Sequence, residues 1–413
     1  MGQQLAGLSR TAEPPATLSR HPRRRRLIAA GAALSLIAGL ATFLVSSNSS
    51  PDCVDSPVTA QALSDLGGYV DWLHKNKVRG YVGEVGWPSG PDARDWNEVA
   101  SHWYDAADRD GLWVTAWAAG KWWPDSYQLT VYRLTGAREP ADAGAQAAVV
   151  EAHADVSGAL RGVDLPSGAF ASGPEGPSTY SGTTPGRYGR DYYYEDAADL
   201  RQVAKTGADV VRISVTWERL QHQPGGPLDQ TELERVRATL RAAETVGLGV
   251  VLDLHNYGDY WVADGSGHRR LTLGTPDLPD DQFADLWRQL STALRDSTAI
   301  IGYGLMNEPT NLAADPTEGA HRWQVASQAA VQAIRQTGDH RTVFVTGYGG
   351  ASPSQWVRYH PRAWIDDPAD QVRYETHQYF DTDRTGRYTR TFREETLRAR
   401  GSGFGTFCPA TKQ

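Results

Sequence analysis

The chain of 413 residues contains only two cysteines, Cys53 and Cys408, no cysteine cluster and no His-Glu-x-x-His helix. A structural zinc site needs grouped ligands and a zinc hydrolase needs its paired histidines, so no metal and no other cofactor is expected. Positive charge is short as well, with 41 Lys and Arg against 49 Asp and Glu, a formal net charge of -8. Such a balance offers no basic footprint to a phosphate backbone, which excludes nucleic acid as a partner. One apolar run has membrane-spanning length, the 19 residues Leu27 to Val45, preceded by Arg23, Arg24, Arg25 and Arg26. With no clean Ala-x-Ala cleavage site behind it, a transmembrane signal-anchor is expected, with a cleaved signal peptide as the alternative. Either places the mass of the protein outside the cytoplasm, membrane-anchored or secreted. The expected organisation is a basic cytoplasmic tail at 1–26, the membrane or signal segment at 27–45, a linker at 46–57 and one catalytic domain at 58–413.

Aromatic residues are abundant, with 14 Trp and 18 Tyr. Flat rings suit sugar faces, although they also fill cores. Along the chain, apolar runs of strand length begin near residues 78, 112, 161, 210, 249, 301, 342 and 372. Stretches of helical periodicity separate most of them. Eight strands alternating with helices predict a closed (β/α)8 barrel, and no second domain is needed.

Several of these strands end in chemistry. Glu84, Trp117, Arg212, His255 with Asn256, Asn307 with Glu308, and His377 with Tyr379 all fall at C-terminal strand ends. Taken singly, an arginine or histidine in such a place is more often structural than catalytic. Taken together they mark the face on which barrels of this kind react. Two glutamates there are the minimum for glycoside cleavage, one as an activated carboxylate and one as a proton donor.

The stretch Leu305-Met306-Asn307-Glu308-Pro309 resembles the acid/base signature of glycoside hydrolase family 5, the cellulase-like family of clan A. The resemblance extends to Arg212 in Val-Arg-Ile-Ser-Val, to Asp253-Leu254-His255-Asn256-Tyr257, to His377-Gln378-Tyr379-Phe380-Asp381, to Glu84 in Val-Gly-Glu-Val-Gly and to the loop Trp117 to Trp123. It implies a retaining endo-β-1,4-glucanase acting by double displacement, with Glu84 as nucleophile and Glu308 as acid/base. It further implies that Arg212 and Tyr379 hold Glu84, and that Asn307 binds the sugar 2-OH. His255, Asn256 and His377 would contact substrate or tune the acid, Trp117 would floor the reacting sugar, and Trp122 and Trp123 would line flanking subsites, with Trp87 and Trp261 as weaker candidates. The partner would be a β-glucan or related polysaccharide, and a monomer is expected. Tyr81 to Ser89 also looks like the nucleophile signature of the family 17 β-1,3-glucanases, which keeps a β-1,3 or mixed-linkage glucan open. A cell-surface transglycosylase would use the same residues, and a barrel that only binds polysaccharide is a further alternative.

The order of the motifs departs from the family. The stretches resembling its seventh and eighth strands come first, which looks like a circular permutation. Because that would bring both chain ends to one seam in an oxidising compartment, a Cys53–Cys408 disulfide is expected.

Overall fold

The computed structural model describes residues 56–134, 142–169, 180–265 and 267–405, all within the unit Ser50–Gln413. Eight parallel strands close into a barrel: β1 Arg79–Gly86, β2 Trp113–Ala116, β3 Arg161–Leu165, β4 Val210–Val215, β5 Gly249–Leu254, β6 Ile300–Gly304, β7 Thr342–Thr346 and β8 Val372–Tyr379. Each strand lies beside its neighbour in sequence order, and β8 returns to pair with β1. The principal helices are α1 Pro57–Asn76, α2 Ala93–Arg109, α3 Ala197–Lys205, α4 Gln230–Val246, α5 Asp280–Ala293, α6 Pro316–Gln336 and α7 Phe392–Gly401. Their limits follow local chemistry. In α4 the Asp229 side chain accepts the Glu232 N–H, and Gly247 ends the helix at φ 75.

Alternation along the strands sorts the side chains into two compartments. On β4, Val211, Ile213 and Val215 join the large apolar cluster shared with the helices, whereas Arg212 is buried among polar groups. On β5, Val250, Leu252 and Leu254 belong to that same cluster, and Asp253 does not. Inside the barrel a small apolar layer of Tyr81, Val210, Val251 and Phe344 forms a floor. On β1 the parity changes. Val82 pairs with Thr376 and Glu84 with His377, so β1 carries one extra residue there. Such a bulge re-aims the side chains that follow it. Without it, Glu84 would share the outward face of Val82, and Val85 would turn inward.

The described residues begin on a helix rather than a strand, and α1 covers the place where β8 meets β1. The Tyr69 hydroxyl donates to the Tyr374 carbonyl on β8 at 2.5 Å and accepts the Tyr81 N–H of β1 at 3.4 Å. Arg384 makes a two-pronged pair with Asp65 of α1, at 2.5 and 3.0 Å. These bonds hold the seam, where a disulfide was expected. That expectation is corrected: the described residues hold no disulfide, and Cys53 and Cys408 both lie outside them.

The membrane segment is corrected as well. Among the described residues no helix is long and apolar enough to cross a membrane. The two longest, α1 and α6, bury one apolar face on the barrel and carry charged or polar residues elsewhere. Residues 27–45, on which the signal-anchor rested, lie outside the described residues. The expected membrane anchor and membrane partner thus have no spanning helix among the described residues to support them. Two further features were not foreseen in the sequence: an antiparallel hairpin, Asp259–Asp264 with Gly267–Thr272, and a small sheet of Ala119–Gly120, Tyr132–Arg133 and Asp142–Ala143.

Candidate active site

Arg212 stands at the centre of the barrel with its side chain fully buried. Its guanidinium reaches Glu84 Oε1 at 3.1 Å, Asp164 Oδ1 at 2.9 Å, Asp253 Oδ1 at 3.0 Å and Glu375 Oε1 at 3.2 Å. It also donates to Asn307 Oδ1 at 2.7 Å. Burial opposes its charge, yet the four carboxylates outweigh that cost and raise its pKa. Its two closest acids respond in opposite directions. Burial, together with the Glu84 charge, pushes Asp164 well above the ordinary carboxylate range despite Arg212. Asp253 is pushed up by burial too, but Arg212 and a 2.8 Å contact with His255 Nδ1 bring it below that range. Of the two, Asp253 is held toward its charged form beside Arg212, and Asp164 is held toward its neutral form.

Above this layer lie the two glutamates. Glu84 accepts from Arg212 through Oε1 and from the Tyr379 hydroxyl through Oε2 at 2.6 Å. Glu308 meets His377 Nδ1 at 2.8 Å, and the same nitrogen is 3.5 Å from Glu84 Oε2. Oxygens of Glu84 and Glu308 lie within 4.8 Å of each other. The two differ in access to water, with side chains 4% and 24% exposed respectively. Glu308 adopts φ 41, a left-handed conformation that costs a non-glycine residue energy and that the preceding strand end and following proline must hold.

Glu84, Glu308 and His377 also form a group of three potential metal ligands. Burial alone would lower the His377 pKa, but the Glu84 charge and bonds to Glu308 and Glu375 push it up to about 10. A protonated ring has no lone pair to offer a cation, so the trio suits proton sharing better than metal binding.

A cleft of about 150 Å³ opens over these groups, lined by Glu84, Trp117, His255, Asn307, Glu308 and Tyr379, among others. Trp117 stacks on His255 at 6.1 Å and donates its indole N–H to Tyr127. Trp123 stacks on Tyr127 at 4.2 Å beside it. Three of the residues singled out in the sequence do not line this cleft. Trp122 packs toward Tyr193 and is not part of the cleft wall. Trp87 is buried and donates to Asn97. Asn256 accepts the Trp217 N–H and donates to Glu218 and the Asp259 carbonyl, so its amide clamps a loop. Trp261 lines a neighbouring pocket that shares His255 and Tyr257 with the cleft.

Asp164, Glu375, Tyr127 and Tyr257 escaped sequence reasoning as site residues. The two acids did leave a signal. A carboxylate inside an otherwise apolar strand, as in Gly-Val-Asp-Leu, or two residues ahead of His377 on the same face, has to be answered by a buried cation.

The family Cellulase (glycosyl hydrolase family 5) matches residues 171–404. The probable endo-beta-1,4-glucanase B of Aspergillus niger is 26% identical over 219 residues, covering 52% of this chain and 60% of the relative. Endo-beta-1,4-glucanase A of Emericella nidulans is 26% identical over 211 residues, covering 50% of this chain and 59% of the relative. The chain thus spans about three fifths of the length of these curated relatives. Among solved structures, Pseudomonas stutzeri endoglucanase Cel5A aligns with TM-score 0.48 and 30% identity over 59% of this chain and 73% of that one. With more than half of its length matched by the family, the chain belongs to glycosyl hydrolase family 5.

Proposed function

We propose that the protein is a retaining endo-β-1,4-glucanase in which Glu84 is the nucleophile and Glu308 the acid/base. The observation that carries this reading is the separation of the carboxylates, whose oxygens lie within 4.8 Å. Retaining glycosidases hold their pair about 5–5.5 Å apart, whereas inverting ones need about 6.5–9.5 Å to admit water between them. The roles follow from the surroundings. Glu84 is buried and receives hydrogen bonds from Arg212 and Tyr379, which keep it ionised and aimed for attack on the anomeric carbon. Glu308, the more exposed, is the group that can pass a proton to the leaving oxygen and later take one from water.

Asn307 has its amide oriented by Arg212 and by His255 Nε2 at 3.2 Å, which supports a contact with the sugar 2-OH. Trp117 supplies the ring face under the reacting sugar. Attack inside a chain is supported by two further cavities that adjoin the cleft. It shares His255 and Tyr257 with the pocket of Tyr180 and Trp261, and Tyr127 with a polar groove of about 450 Å³ that includes Gln128 and Arg133. The β-1,4 linkage is taken from the names of the relatives. The family match begins at residue 171, behind the strands of Glu84 and Trp117, while those strands close the same barrel. That supports a circularly permuted family member.

The test is Glu308→Gln assayed on two substrates. Hydrolysis of cello-oligosaccharides, whose leaving group needs a proton, should fall roughly a thousandfold. An aryl glycoside with an activated leaving group should still form the glycosyl-enzyme at close to the normal rate. Equal losses on both would remove Glu308 from the acid role.

A further inference from the structure

Two residues below the active-site histidine on β8, Glu375 is completely buried and has no place in the mechanism given so far. Its Oε1 is 3.3 Å from His377 Nε2 and 3.2 Å from Arg212 Nε. The barrel makes special room for it. A Cβ on Gly83 would come within 2.0 Å of Glu375 Oε1, so any other residue there would have to push Glu375 out of its place, one residue before Glu84 in the bulge of β1. His377 is consequently bracketed by carboxylates at both nitrogens: Glu375 at Nε2, and Glu308, with Glu84 behind it, at Nδ1.

We propose that Glu375 is a positioning residue that keeps a proton on His377 Nε2, so that Nδ1 is the atom that trades a proton with Glu308. The reading rests on the retaining mechanism above and adds a proton store behind the acid/base. In the resting site the proton sits on Nδ1, facing an ionised Glu308. When substrate binds, it crosses to Glu308 Oε1 and from there to the leaving oxygen, leaving His377 neutral with its Nε2–H still held by Glu375. In the second half, water gives a proton to Glu308 as its oxygen attacks the glycosyl-enzyme, and that proton returns to Nδ1. Protons balance over the cycle, and Glu375 stays ionised throughout. A carboxylate that fixes the tautomer of a histidine, which then serves another group, is the same division of labour as in the Ser-His-Asp triad. The other charges around the ring are Asp164 on β3, Arg212 on β4 and Asp253 on β5, while Tyr379 donates to Glu84 from β8 itself. Of all these, Glu375 alone faces Nε2 at hydrogen-bonding distance.

The experiment is Glu375→Gln, read by ¹⁵N NMR of the histidine rings and by kinetics, with the His377 signals assigned from Glu375-intact H377Q protein. In the unaltered protein at pH 8 both ring nitrogens of His377 should be protonated. In E375Q the ring should lose its second proton at a pH lower by at least about one unit. On a substrate with a poor leaving group kcat should fall roughly tenfold or more, with KM changed less than about twofold. An activated aryl glycoside should be affected much less, and Glu375→Asp should recover part of the loss. A merely structural role would lower both substrates together and leave the ring titration in place. An unchanged His377 titration in folded E375Q overturns the proposal. Should E375Q fail to fold, an Nε2 without a proton in the unaltered protein at pH 8 overturns it equally. Failure of the glucanase reading looks different: the unaltered protein would cleave no β-glucoside, while the NMR result would stand.

Discussion

The lumen of the barrel and the shell between its strands and helices are built from the same strands by opposite rules. In the shell, Trp96, Trp103, Trp287 and Trp323 are buried with Leu, Ile and Val, and burial of apolar surface does the stabilising. In the lumen, one guanidinium holds four carboxylates above a small floor with four buried apolar side chains. A buried ionic cluster is a weak source of stability, since its attraction goes largely into offsetting desolvation. What it supplies is aim. Each carboxylate has a fixed cation or hydrogen-bond donor, and the two that reach the rim point at one volume. The shell holds the fold together, and the lumen holds the chemistry in register.

Substitutions in each compartment should therefore fail in different ways. The largest effect is expected from Arg212→Ala, which leaves four carboxylates facing one another in a dry interior. It should cost about 3–5 kcal/mol of stability and abolish turnover as well, seen in denaturant melts and in rate assays of the folded fraction. Trp323→Ala lies in the shell. Its side chain is buried, and its indole N–H donates to the Thr346 carbonyl at 2.6 Å. A similar loss of about 3–5 kcal/mol is expected there, but kcat of the protein that remains folded should be unchanged. A matching drop in kcat would erase the division between the compartments. The smallest effect is expected outside both. Arg241 pairs with Glu234 on the solvent face of α4 at 2.5 Å, with both side chains more than half exposed. Arg241→Ala should shift stability by less than about 1 kcal/mol and leave activity alone.

The two compartments were also unequally legible in the sequence. The shell is what makes a strand visible, because runs such as Val210 to Val215 or Gly249 to Leu254 present apolar residues to the helices. All eight barrel strands were located from such runs, and the barrel follows from their number and alternation with helices. The rim residues could be read because they sit where each run breaks. The middle of the lumen was harder. Asp164 and Glu375 lie inside strands, where one acid looks like ordinary alternation, and only closure of the barrel shows that both meet Arg212. The hairpin at 259–272 and the small sheet of Ala119–Gly120, Tyr132–Arg133 and Asp142–Ala143 were not foreseen because their strands are short or polar and pair only in the tertiary fold. The role of Asn256 was hard to read for a related reason. A polar residue next to an active histidine resembles a substrate ligand until its amide is seen spent on Trp217 and Glu218. The membrane segment and the disulfide were argued from residues outside the described fold, where no packing could check them.

Labelling by a mechanism-based 2-fluoro cellobioside tests the assignment of the two glutamates. The buried carboxylate held by Arg212 and Tyr379 should be the one that attacks. The protein should gain one sugar per chain, a digest should place it on the peptide containing Glu84, and the first product seen by NMR from unlabelled protein should keep the β configuration. A label on Glu308, or a first product of α configuration, would contradict the assignment of the two carboxylates.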